Sequence, residues 1–225
     1  MPAPSDPRFL VLHGLRLKGF AEAQPMAEAT GLDPAVVDRQ LEGLAADELV
    51  LHRTGRVSGW SLTAAGRAEH ARAVTAELEA AGARPVVDAA YRCFLGHNGE
   101  LLAVCTAWQL RDEGGAPAPN DHTDAAYDEA VVERLAGVHE QVRPVVGDLA
   151  STLDRFGRYE GRLATALDRV RAGEVEWLTK PVIDSYHTVW FELHEDLLST
   201  LGIERGSERA GEQADDAERT EGEAS

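Results

Sequence analysis

The run Gly31-Leu32-Asp33-Pro34 leaves the backbone few choices. A glycine can take the left-handed conformation that closes one helix. An aspartate can accept from the free N–H groups that open the next, and a proline at the first helical position forfeits no hydrogen bond. The chain is thereby committed to two helices joined by a short turn. Upstream, Phe9, Leu10, Leu12, Leu15, Leu17 and Phe20 predict an amphipathic helix from Arg8 that softens at Gly19, and Ala23 to Thr30 predicts a second. Downstream, a third helix runs from Pro34 to about Asp47. Val37, Leu41 and Leu44 face inward on it, and Val36, Arg39, Gln40 and Gly43 lie on the other side.

Two short strand-like segments follow, Leu49 to Arg53 and Trp60 to Leu62, around the tip Thr54-Gly55-Arg56-Val57-Ser58-Gly59, which predicts a hairpin. Thr63 is a candidate N-cap for a fourth helix reaching about Ala81. The remainder reads as helices at about 84–96, 100–112, 125–143, 144–154, 157–172 and 182–201. Pro144 should separate or kink the third and fourth of these. Gly114 to Asn120 reads as a loop, and no strand alternation is visible after residue 84. The expected domains are therefore 8–83, 84–202 and a disordered acidic tail, 203–225, too polar to bury the surface that ordering requires. The fold class is mainly α.

Charge constrains function. The chain carries a formal −17, which counts against nucleic-acid binding, but residues 1–83, 84–202 and 203–225 carry −3, −9 and −5. The first segment is close to neutral with its cations clustered, so DNA binding by it remains physically open. Apolar stretches such as Leu101 to Val104 and Val189 to Phe191 fall far short of the ~20 residues of a bilayer span, so no membrane is expected. Met-Pro-Ala-Pro-Ser-Asp has no secretory pattern, which gives a cytoplasmic expectation. Cys93 and Cys105 lack CxxC spacing and read as buried thiols.

The order helix, helix, Gly-Leu-Asp-Pro turn, helix, hairpin, ending in Leu62-Thr63-Ala64-Ala65-Gly66-Arg67, resembles the winged helix-turn-helix transcription regulators, especially the MarR-like group and its "LTxxGR" motif. The resemblance covers residues 8–75, about a third of the chain. It implies that the helix after the turn enters the major groove and that the hairpin, the wing, meets backbone or minor groove. Pro34, Ala35, Val36, Arg39 and Gln40 would then lie near base edges and Arg53 and Arg56 near phosphate. Asp38 and Glu42, on the same helix, depart from a strong binder. The large all-helical second domain departs from MarR-like architecture and suggests an N-terminal reader with a helical effector and dimerisation domain.

In that second domain Arg155, Arg158 and Arg162 share a helical face with Tyr159 between them. Such a stripe most often pairs with acidic side chains of a neighbouring helix or across a dimer interface; the sharper reading is a pocket for a small anionic effector, with Trp108, Gln109, Arg111, His187 and Trp190 as further walls. His187 and His194 share a face two turns apart and, with His122 and the nearby Asp121 and Asp124, form a weak metal candidate. Satisfied, partly buried histidines are the commoner case. No nucleophile elbow, phosphate loop or HExxH motif is present, so neither an enzyme nor a cofactor is expected. The expectation is a homodimeric, duplex-DNA-binding transcription regulator. The alternative is a protein-interaction module that keeps the winged fold without binding DNA.

Overall fold

In a computed structural model, which describes residue 2 and residues 4–112 and 115–203, the chain is mainly helical with small antiparallel sheets. The expected acidic tail lies outside the described residues from 204 onward. Helix α1 (Pro7–Lys18) is capped by Asp6, and α2 (Ala23–Thr30) closes at Gly31, whose φ of 70° is left-handed. Helix α3 (Pro34–Ala46) opens as its Asp-Pro start requires: the Asp33 carboxylate accepts from the Ala35 N–H at 2.8 Å. Val37, Leu41 and Leu44 are buried, each removal from water contributing about 1.5–3 kcal/mol.

Strands β1 (Val50–Arg53) and β2 (Gly59–Leu62) pair antiparallel, Val50 opposite Leu62 and His52 opposite Trp60. Ala21 exchanges two backbone hydrogen bonds with Trp60 and so adds a rung to β2. Helix α4 (Ala64–Ala81) starts where the Thr63 hydroxyl accepts from the Gly66 N–H and donates to the Glu48 carbonyl. A Cβ at Gly66 would stand 1.9 Å from the Leu49 carbonyl oxygen. The Thr-x-x-Gly spacing thus has a local physical cause: the threonine caps the helix and the glycine lets it lie against the chain entering β1.

The rest comprises α5 (Arg84–Gln109), β3 (Leu110–Asp112), β4 (Pro117–Pro119), α6 (Ala125–Thr152), a 3-10 turn (Asp154–Phe156), α7 (Gly157–Arg171), α8 (Glu176–Thr179) and α9 (Tyr186–Leu201). Four expectations need correction. The helices read at 84–96 and 100–112 are one. Phe94, Leu101, Val104 and Trp108 form one buried stripe, and burying it offsets the ~1 kcal/mol that each of Gly96 and Gly99 costs in a helix. Pro144 lies inside α6 without dividing it, because Leu135, Val138, Val142, Val146 and Leu149 carry a single buried face past it. Residues 110–112, expected in a helix, form β3 and pair with β4 in the Gly/Pro loop, whose prolines sit on a sheet of two strands among the described residues. Helix α9 starts at Tyr186, capped by Ser185, rather than at 182.

Two apolar cores result. One gathers Val11, Leu12, Leu15, Met26, Val37, Leu41, Leu44 and Val50; the other is built chiefly by α5, α6, α7 and α9. They do not divide cleanly at residue 83. Phe9 of α1 and Val74 and Leu78 of α4 belong to the second core. Helix α1 is therefore shared: one face completes the first core while its start packs on the second. Of the two thiols, Cys105 is buried, which pushes its pKa up to about 12, whereas Cys93 is exposed, contrary to expectation. Its position on the outward side of α5 leaves it outside both cores.

Candidate nucleic-acid interface

The residues expected to meet DNA lie on the outward side of α3 and on the β1–β2 hairpin, whose first strand packs beside α3. Pro34 and Ala35 are exposed at the start of α3, Arg39 is exposed one turn on, and Val36 and Gln40 are half-buried. Arg53 ends β1 and Arg56 stands on the tip, both exposed. The inward spacing of Val37, Leu41 and Leu44 turns the intervening residues outward, and the glycines at 55 and 59 return the chain around the tip. Among the described residues, Arg39, Arg53 and Arg56 make no ion pair and no side-chain hydrogen bond. Asp38 and Glu42 are exposed on α3 as well. Neighbouring cations are engaged elsewhere: Arg8 pairs with Asp47 at the far end of α3, and Arg67 donates to the Leu62 carbonyl at 3.0 Å.

The residues grouped as an effector pocket fall into three environments. Trp108 donates its indole N–H to the Val175 carbonyl at 3.1 Å, the Gln109 carbonyl accepts from the Asn120 N–H, and Arg111 pairs with Asp124 and lies over the Tyr127 ring. Trp190 stacks on Phe94 and donates to Asn98, with His187 half-buried on the same helix. The third environment is the arginine stripe. Arg155 is 5% exposed and its guanidinium is occupied by Glu77, Asp196 and Thr200, so no anion pocket opens around it. Arg162 grips Asp184 through two N–H groups and Glu192 through a third, and Arg158 meets Asp196 and donates to the Ala29 carbonyl in the last turn of α2.

Asp196, fully buried on α9, is the hub of this network. It also receives His13 of α1 at 2.8 Å and the Tyr159 hydroxyl at 2.8 Å, and His13 in turn meets His70 of α4 at 2.9 Å. With its proton on Nε2, His13 donates to the Asp196 carboxylate and accepts at Nδ1 from His70 Nε2; Arg155 Nη1, which only donates, stands 3.1 Å from the same His13 Nε2 and turns its hydrogen bond to Asp196 instead. Burial would drive the Asp196 carboxyl toward neutrality, but Arg155, His13 and Arg158 beside it hold its pKa far below the usual carboxylate range. Desolvation lowers both imidazoles, His70 to about 3. Lys18 with Glu192 and Arg16 with Glu195 add two pairs between α1 and α9. Sequence reasoning missed His13, His70, Glu77, Asp196 and Thr200. The visible half of the network was the arginine stripe; its acceptors are scattered along the chain.

The metal candidates are similarly engaged. His122 pairs with Asp128 at 2.9 Å, and His194 packs its ring against Phe94. Among the described residues no three His, Cys, Asp or Glu side chains are grouped to hold a metal ion. No helix of the described residues is long and apolar enough to cross a membrane. Comparison of the chain with family models, with curated proteins and with solved structures returns no match.

Proposed function

We propose that the chain is a DNA-binding transcription regulator whose residues 8–83 form a MarR-like winged helix-turn-helix and whose residues 84–202 dimerise it and respond to a small ligand in the cytoplasm. One observation carries this reading: Arg39 on α3 and Arg53 and Arg56 on the hairpin project into solvent without an intramolecular partner. In it α3 enters the major groove, where Arg39 can take guanine by its two-pronged edge and Gln40 can take adenine, while the hairpin arginines neutralise phosphate. The near-neutral charge of the first 83 residues supports such a contact within an acidic chain.

The test is retention of genomic DNA fragments across a salt series. Replacing Arg39, Arg53 and Arg56 together by Ala is expected to weaken retention by about 100-fold at moderate salt, since each lost base or phosphate contact is worth roughly 1 kcal/mol or more. Replacing Arg53 and Arg56 alone is expected to flatten the salt slope by about two, one per phosphate contact. Unchanged retention by the triple variant overturns the proposal. A second reading is favoured by Asp38 and Glu42, exposed beside Arg39: a protein-interaction module on the same scaffold. Failure to retain any fragment, together with specific recovery of one protein partner, would select it.

A further inference from the structure

Where α5 ends, α6 begins and α7 ends, a cavity of about 560 Å³ opens among Trp108, His122, Asp128, Glu129, Glu133 and Arg171. That volume is typical of small-molecule sites. One wall is aromatic. The Trp108 and His122 rings stand with centroids 4.5 Å apart, the indole fixed by its hydrogen bond to the Val175 carbonyl and the imidazole by Asp128. Rings already held by hydrogen bonds need little further ordering to receive a ligand.

The charge of the cavity points to the ligand class. Glu129 and Glu133 stand one turn apart on α6, on the same face, and neither has an ion-pair or hydrogen-bond partner among the described residues. Asp128 beside them is engaged by His122 and Asn120. Arg171 is the one permanent cation among the described residues lining the space. The backbone field is mixed: α5 and α7 reach the cavity with their C-terminal ends, where partial negative charge accumulates, and α6 reaches it with its first turn, whose positive end is capped by the Asp124 carboxylate.

We infer that this cavity binds an organic cation with an aromatic or apolar body. The half-buried His122 ring, backed by the buried Trp108 indole, takes the body, and Glu129 and Glu133 take the charge. An anion of the same shape would meet the unpaired carboxylates of Glu129 and Glu133. A small hydrated metal ion would gain nothing from the rings. The effector class is therefore cationic, not the anionic one that the arginine stripe suggested in the sequence. Its role as effector rests on the regulator reading above; its binding does not.

Calorimetric titration with tetraphenylphosphonium, and with tetraphenylborate as the same four-ring body of opposite charge, tests the site. Saturable binding of the cation at one site per chain is expected, with the anion bound at least roughly tenfold more weakly. Glu129→Gln/Glu133→Gln, at exposed positions that leave the melting temperature in place, is expected to weaken the cation by about tenfold, the equivalent of 1.4 kcal/mol. Equal binding of both ions, or a cation affinity that ignores the double variant, overturns the inference. DNA retention measured in parallel separates the two proposals: a protein that retains DNA and binds no cation loses the cavity alone, and one that binds the cation without DNA loses the reader alone.

Discussion

Arginine serves opposite ends in two regions of this molecule. On α3 and the hairpin, Arg39, Arg53 and Arg56 are exposed and unpaired; where α1, α4, α7 and α9 meet, Arg155, Arg158 and Arg162 are surrounded by carboxylates of the same chain. A guanidinium taken out of water is costly unless its partners are well placed, so the inner set fixes geometry. The outer set has no partner among the described residues, and truncating it is expected to change stability little. The difference teaches where to look for recognition: at charges the fold does not use.

Stability measurements can break that contrast. The largest effect is expected from Asp196→Ala, which strands Arg155 without its main counter-ion and should cost about 3–5 kcal/mol in denaturant unfolding; a loss below about 1 kcal/mol would remove the hub from the account. The pH profile comes next. His13 and His70 are neutral when folded and titrate below 6.5, while the unfolded chain takes up their protons as pH falls past that value. Stability is therefore full above about pH 6.5 and declines toward pH 3, with a limiting slope of about 1.4 kcal/mol per pH unit for each imidazole. A double variant, His13→Gln/His70→Gln, whose profile between about pH 6.5 and 5, above the carboxylate range, falls as steeply as the parent's would refute the assignment.

Smaller effects sharpen the other side. Gly66→Ala drives a methyl group into the Leu49 carbonyl and is expected to cost about 1–3 kcal/mol by overpacking, read as a lowered melting temperature. The Arg39, Arg53 and Arg56 triple variant is expected to stay within about 0.5 kcal/mol of the parent, as surface substitutions do. A marked destabilisation there would mean that these arginines hold structure after all.

Local chemistry made the first 81 residues legible. The Asp33-Pro34 start, the Gly31 stop, the hairpin tip and the Thr63 cap each act within a few residues, and the elements fall where those signals put them. Helix α5 and Pro144 were harder, because a continuous buried face overrode residues that break helices in isolation. The exposed face of α3 was visible from helical periodicity. The hub was half visible: Arg155 and Tyr159 share a face in sequence, but Glu77 lies 78 positions from Arg155 and Asp196 lies 41 from it, and spacing along the chain carries no record of such encounters.

The bond between His13 and Asp196 spans 183 positions. At a synthesis rate of roughly 5–20 residues per second, α1 waits on the order of 10–40 s after leaving the ribosome before α9 arrives to meet it. During that interval the apolar start of α1 and the inner face of α4 have no second core to enter. A nascent chain of this design exposes α1 to chaperones and proteases until α9 has followed it out.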